Sequence, residues 1–160
     1  MKHLWSPWRM EYIENNTKID GCVFCVLQGL QDSPENLIAF RGKYSFVILN
    51  RYPYTSGHLM VVPYVHQPNL EELDPETRAE MMELTTRCMT ILRGLYNPQA
   101  FNMGANIGEA AGAGVKEHVH IHIVPRWAGD TNFMSAVGEV RVLPESLEST
   151  WVRVKKAFEE

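Results

Sequence analysis

The segment His118-Val119-His120-Ile121-His122-Ile123-Val124 decides how this 160-residue chain is read. Three of the six histidines stand at alternate positions, with a β-branched residue in each gap. Alternate side chains of a strand share a face. His118, His120 and His122 therefore form one row, while Val119, Ile121 and Ile123 point the other way, as a half-buried strand requires. A row of groups that titrate near neutrality is costly to maintain unless it binds something or moves protons. The bland alternative is a surface strand that happens to be rich in histidine, and strict alternation of three weighs against it.

Upstream, Gly108-Glu109-Ala110-Ala111-Gly112-Ala113-Gly114 is a small, glycine-rich loop leading into the row. It lets the backbone approach a ligand and turn amide donors toward an anion. Beside such a loop one imidazole of the row could attack phosphorus while its neighbours donate to the non-bridging oxygens. Residues 101–107 read as a strand with Asn102, Gly104 and Asn106 on one face. Residues 44–49 and 58–62 read as two more, joined by the turn chemistry of Pro53-Tyr54-Thr55-Ser56-Gly57. Asp74-Pro75-Glu76 starts a helix whose stripe is Met81, Leu84, Cys88, Ile91 and Leu95, ended by Asn97-Pro98. A closing helix over residues 144–160 carries Leu147, Trp151, Val154 and Phe158. Residues 1–20 are aromatic-rich without clear period, an arm expected to pack Trp5, Trp8 and Tyr12 on the body or on a partner chain. With no repeat or linker, residues 1–160 read as one domain of antiparallel α+β class.

The composition is that of a soluble domain, 45% hydrophobic and 21% charged, with 15 basic against 19 acidic side chains for a net charge of −4. That balance argues against a broad nucleic-acid or membrane surface, while leaving room for a small anion site. No run reaches the length of a membrane span, and the N-terminus lacks the apolar core of a signal peptide, so the expected location is cytoplasmic. Three cysteines argue against a disulfide framework. Cys88, on the helical stripe, reads as a buried, inert thiol. Cys22-Val23-Phe24-Cys25 taken alone stays open between redox, metal and chance.

His118-Val-His120-Ile-His122 followed by Ile123-Val124-Pro125-Arg126 resembles the signature of the histidine triad family of nucleotide hydrolases and transferases. The likeness extends through Phe101 to Gly108, through Leu49-Asn50-Arg51-Tyr52-Pro53, and through Ser56-Gly57-His58-Leu59-Met60-Val61-Val62-Pro63. Trp127-Ala128-Gly129-Asp130 with Asn132-Phe133, and Leu4-Trp5-Ser6-Pro7-Trp8-Arg9-Met10, resemble its diadenosine tetraphosphate phosphorylase-like bacterial branch. The resemblance implies a sheet of about five antiparallel strands with the long helix packed on it. It implies His120 as the nucleophile that takes the α-phosphate as a covalent nucleotidyl-histidine, with His122 donating to the phosphate or bridging oxygen and His58 as a further active-site histidine. Asn106 would sit near the phosphates and Asn50 at the ribose hydroxyls, while Gly112, Ala113 and Gly114 would offer backbone donors. Where many members carry a glutamine and a hydroxyl residue for the leaving group, this chain has Ala113-Gly114-Val115, then Lys116-Glu117. The leaving-group donor, and water or inorganic phosphate as acceptor, therefore remain open.

In zinc-bearing members of the superfamily the positions of His66 and His118 complete a site with a cysteine pair, which implies a structural zinc on Cys22, Cys25, His66 and His118. Homodimers are common in the family, and one is expected here. The segment 24–40, with Leu27 and Ile38, is the expected apolar lining for a base. Two competing classes are a catalytically weak nucleotide-binding regulatory module and a metal enzyme using all three row histidines. The second is disfavoured because His118 and His122 would lie about 13 Å apart along a strand.

Overall fold

In the computed structural model, residues 21–131 and 143–160 are described. The arm at residues 1–20 lies outside them, as do Asn132 and Phe133. A short helix α1 (Val23–Gln28) precedes strands β1 (Ile38–Arg41), β2 (Ser45–Leu49) and β3 (Leu59–Pro63). The long helix α2 (Pro75–Tyr96), β4 (Ala100–Gly104), β5 (Ile121–Arg126) and helix α3 (Leu147–Glu159) follow. The five strands form one antiparallel sheet in the order β1-β2-β3-β5-β4, as the α+β reading expected.

β2 and β3 are buried along their whole length, which is why they are made almost entirely of apolar residues. Helix α2 begins as its sequence dictates: the Asp74 carboxylate accepts from the Thr77 amide at 2.7 Å, and Pro75 occupies a position where no donor is needed. Its buried stripe is Thr77, Met81, Leu84, Thr85, Cys88 and Leu92. The expected Ile91 and Leu95 are only half-buried, because the contact face runs through Leu92. Glu80 docks the helix by accepting from the amides of Lys43 and Tyr44 and from the Ser45 hydroxyl at 2.6–2.8 Å, which closes the β1–β2 turn.

Gly57, at φ +78°, lets α2 approach the sheet: a Cβ there would lie 2.9 Å from Leu92 and 3.5 Å from Pro125. The helical layer thus covers the face of Leu59, Ile123 and Pro125, and the histidines line the opposite face. Helix α3, capped by Ser146, lies over β1, with the Trp151 indole donating to the Ile38 carbonyl at 2.8 Å. Ile38 is consequently wholly covered, and of the two residues expected to line a base only Leu27 keeps any exposure.

The sequence suggested a strand through residues 101–107, but β4 ends at Gly104. Likewise β5 starts at Ile121, not at His118. The β3–β5 ladder runs only from Leu59↔Ile123 to Val61↔Ile121. Beyond it the Pro63 carbonyl accepts from the His118 imidazole at 2.8 Å, and the Val119 amide donates to Gln67 at 2.8 Å. A side chain has taken the place of the next rung. The alternation survives, but His118 and His120 are as buried as Val119 and Ile121, so this stretch is covered on both faces rather than one.

Candidate active site and metal centre

The three row histidines sit in different surroundings. His118 is fully buried and its Nε2–H donates to the Pro63 carbonyl, which leaves Nδ1 bare. That nitrogen lies 3.3 Å from Cys22 Sγ and 3.6 Å from Cys25 Sγ, and His66 Nδ1 lies 3.3 Å from Cys25 Sγ. The four ligand atoms are all within 4.8 Å of one another. A tetrahedral ion bonded at about 2.3 Å to sulfur and about 2.0 Å to nitrogen separates such atoms by about 3.5 Å, so the cluster can hold one. Without an ion the arrangement is unfavourable for thiolates: burial pushes the Cys25 thiol up, and the neighbouring Cys22 adds to the effect. The spacing of Cys22 and Cys25 puts them on one turn at the start of α1. His66 arrives from the connection after β3, and His118 from the approach to β5.

His120 is 5% exposed, and its Nδ1–H donates to the His118 carbonyl at 2.9 Å. A carbonyl can only accept, so the hydrogen is on Nδ1 and the Nε2 lone pair is free for chemistry. Burial lowers the pKa of His120 below the ordinary imidazole value and keeps it neutral at pH 7. His122 is held the other way round. The Tyr54 amide donates to His58 Nδ1 at 3.1 Å, which requires neutral His58 to carry its hydrogen on Nε2. That Nε2–H donates to His122 Nδ1 at 2.9 Å, leaving His122 with its hydrogen on Nε2. Burial, assisted by His120, pushes the His122 pKa down to about 4. The rings of His120 and His122 meet edge to face with centroids 4.8 Å apart. Neighbouring imidazoles are thus set in opposite tautomers by main-chain atoms, one offering a lone pair and the other a proton.

His58 reaches His122 because Met60 pairs with His122 in the register, and His58, two residues earlier, shares that face. Asn50, at the end of β2, accepts from the Tyr52 amide at 2.9 Å and places its Nδ2 at 3.4 Å from His58 Nε2. Gly104 pairs with His122, so Asn102 and Gly104 share the histidine face as expected, while Asn106 is exposed on the connection beyond β4. The glycine-rich loop forms a tight turn of its own: the Gly112 amide bonds Glu109 at 2.9 Å and the Ala113 amide reaches Gly108 at 3.4 Å. Of the three expected backbone donors, only Gly114 is left out of these intraloop bonds. Lys116 is paired with Glu109 at 2.9 Å on the exposed surface.

Two aromatic residues completing the site had no signal in the motif spacing. Phe24, between the cysteines, is buried against His118 and His120 with centroids 5.4 and 5.0 Å away. Tyr54 packs on His58 at 4.6 Å and stacks over His122 at 6.1 Å. An aromatic within a Cys-x-x-Cys pair could have drawn notice to the first; nothing short of the fold shows the second.

A HIT domain match covers residues 31–129. The AP-4-A phosphorylase of Mycobacterium tuberculosis is 38% identical over 158 residues, spanning 94% of this chain and 80% of that protein. The asymmetrical bis(5'-nucleosyl)-tetraphosphatase of Schizosaccharomyces pombe is 30% identical over 93 residues, covering 58% of this chain and 50% of that one. A zinc-bound histidine triad family protein from Mycobacterium smegmatis superposes with a TM-score of 0.68 at 30% identity, covering 87% of this chain and 94% of its own. Fold, paired imidazoles and likenesses together define a nucleotide hydrolase or transferase of the histidine triad class. The chain belongs to the HIT domain family.

Proposed function

We propose that the protein cleaves dinucleoside polyphosphates such as diadenosine tetraphosphate, through a covalent nucleotidyl intermediate on His120. The observation that carries this reading is the pair of opposed tautomers at His120 and His122. The bare Nε2 of His120 attacks the α-phosphorus and forms a nitrogen–phosphorus bond. The bond from phosphorus to the departing polyphosphate oxygen breaks, and the Nε2–H of neutral His122 stabilises the charge on that oxygen by a hydrogen bond. His58 and the Tyr54 amide hold His122 in its donor tautomer. An acceptor oxygen then attacks the phosphorus, the bond from phosphorus to Nε2 breaks to restore the bare nitrogen of His120, and any proton the acceptor sheds passes to water. If the β4–β5 register is continued two residues past Gly104, Asn106 falls opposite His120, which supports its placement near the phosphates. Asn50 is assigned to the ribose. Gly114 and Lys116 are the remaining donors for the leaving group.

The two relatives named above differ in acceptor, as their names state. Likeness to the phosphorylase runs along 94% of this chain against 58% for the tetraphosphatase, which supports inorganic phosphate as acceptor. Incubation with diadenosine tetraphosphate and phosphate is expected to yield ADP and ATP. AMP and ATP at the same rate with or without phosphate would make the enzyme a hydrolase, and no cleavage in either condition would remove the substrate assignment.

Zinc is the ion we assign to Cys22, Cys25, His66 and His118, supported by their soft, four-donor chemistry and by the zinc-bound relative. Four protein ligands leave no open position, so the ion acts structurally, pinning His118, whose carbonyl in turn holds His120. A homodimer is supported by the exposed edge strand β4, where Met103 is 47% exposed; sedimentation at micromolar concentration returning a monomer mass would refute it. Among the described residues no helix is long and apolar enough to cross a membrane.

A further inference from the structure

Helix α1 is six residues long, carries no side-chain cap at its N-terminus and has no basic residue in its last turn. A helix this short has no stability of its own in water. Yet it positions Cys22, Cys25 and the Phe24 ring that rests on His120. Its amino end is tied down at the cysteine cluster. At its carboxyl end the amides of Gly29 and Leu30 bond the Val26 and Leu27 carbonyls, while the Gln28 carbonyl, and that of Leu30 just beyond the helix, are left for a side-chain donor.

Arg41, on β1, supplies the missing partners. Its Nη1 donates to the Gln28 carbonyl and its Nη2 to the Leu30 carbonyl, each at 2.7 Å. Its Nε donates to Asp32 Oδ1 at 2.7 Å, and the other oxygen of Asp32 receives Lys155 of α3 at 3.3 Å. All three guanidinium nitrogens are used at once, in the planar fork that only arginine presents. Among the described residues, no other side-chain hydrogen bond joins the end of α1 to the sheet.

We propose that Arg41 is a positioning residue for both the metal cluster and the nucleophile, because it anchors the carboxyl end of the helix that carries Cys22, Phe24 and Cys25. The inference rests on the metal and nucleophile assignments made above and extends them to a residue that touches neither. When the anchor is lost, α1 can shift on the sheet; the cysteines then lose their register with His66 and His118, and Phe24 no longer packs squarely on His120. Residues that orient metal ligands from outside the coordination shell change affinity by about 10- to 100-fold when lost, and an effect of that size is expected here.

The test is cobalt titration of metal-free wild-type, Arg41→Ala and Arg41→Lys proteins, followed by displacement with zinc and by steady-state kinetics of the zinc-loaded forms. Cobalt in a two-sulfur, two-nitrogen tetrahedron absorbs in the visible, so the spectrum reports geometry as well as occupancy. R41A is expected to weaken metal affinity at least tenfold and to lower kcat with little change in KM. R41K keeps the charge but not the fork, so it is expected to lie between. It also serves if R41A does not fold. Variants that melt earlier yet keep wild-type affinity, spectrum and kcat would make Arg41 merely structural and overturn the inference. Wild-type protein that binds no cobalt would instead sink the metal assignment, and the inference with it.

Discussion

His120→Ala is expected to reduce turnover of diadenosine tetraphosphate by at least about four orders of magnitude, the scale on which enzymes lose activity when a covalent nucleophile is removed. No neighbour can substitute. His118 has its only bare nitrogen committed to the cysteine cluster, and His122 has its Nδ1 committed to His58. In a rapid-quench experiment with substrate labelled at the α-phosphate, wild-type protein should carry transient label in a bond that survives alkali and breaks in acid, as a phosphohistidine does. The variant should carry none while still binding nucleotide. Full turnover by the variant, or label on another residue, would sink the mechanism. His122→Ala should still become labelled, but slowly, since it loses the hydrogen-bond donor rather than the lone pair. Burial keeps both imidazoles neutral below the ordinary histidine pKa, so the acid limb of the wild-type kcat profile should fall below pH 6.5.

Removal of the metal is expected to have the second-largest effect, on stability first and on activity as a consequence. A ligand that binds only the folded state at a thousand times its dissociation constant contributes about 4 kcal/mol, and in a domain of this size each kcal/mol moves Tm by about 2–4 °C. Chelation should therefore lower Tm by about 10 °C, and zinc, but not magnesium, should restore it. Cys25→Ser should reproduce the chelated state and become insensitive to added zinc. Equal melting of chelated and zinc-loaded wild-type protein would remove Cys22, Cys25, His66 and His118 as ligands. Activity should fall with the metal because the His118 carbonyl, which fixes the tautomer of His120, belongs to a residue the ion would hold.

Much of the fold was legible in the chain because its signals are local. The capping Asp74-Pro75 pair, the buried runs of β2 and β3 and the apolar stripes of α2 and α3 each encode one element through periodicity and turn chemistry. The extent of the histidine strand was not legible, because its first half ends its ladder on an imidazole–carbonyl bond to Pro63, a contact between residues 55 positions apart. The short strand β1 was missed for a related reason. Its four residues are too few for a clear period, and it is held by pairing with β2 and by the Trp151 indole.

For the site, the alternation of His118, His120 and His122 by itself determined that three imidazoles would face one way and the β-branched Val119, Ile121 and Ile123 the other. Those are consequences of backbone periods, which depend only on neighbours in sequence. Only the tertiary structure decided that the three imidazoles are unequal. The Pro63 carbonyl turns the bare nitrogen of His118 toward the cysteines. The His118 carbonyl frees Nε2 of His120, and the Tyr54 amide, acting through His58, gives His122 its proton. Tautomers are set by the hydrogen-bonding partner at each ring nitrogen. Here those partners are main-chain atoms and a second imidazole, whose placement no residue identity records.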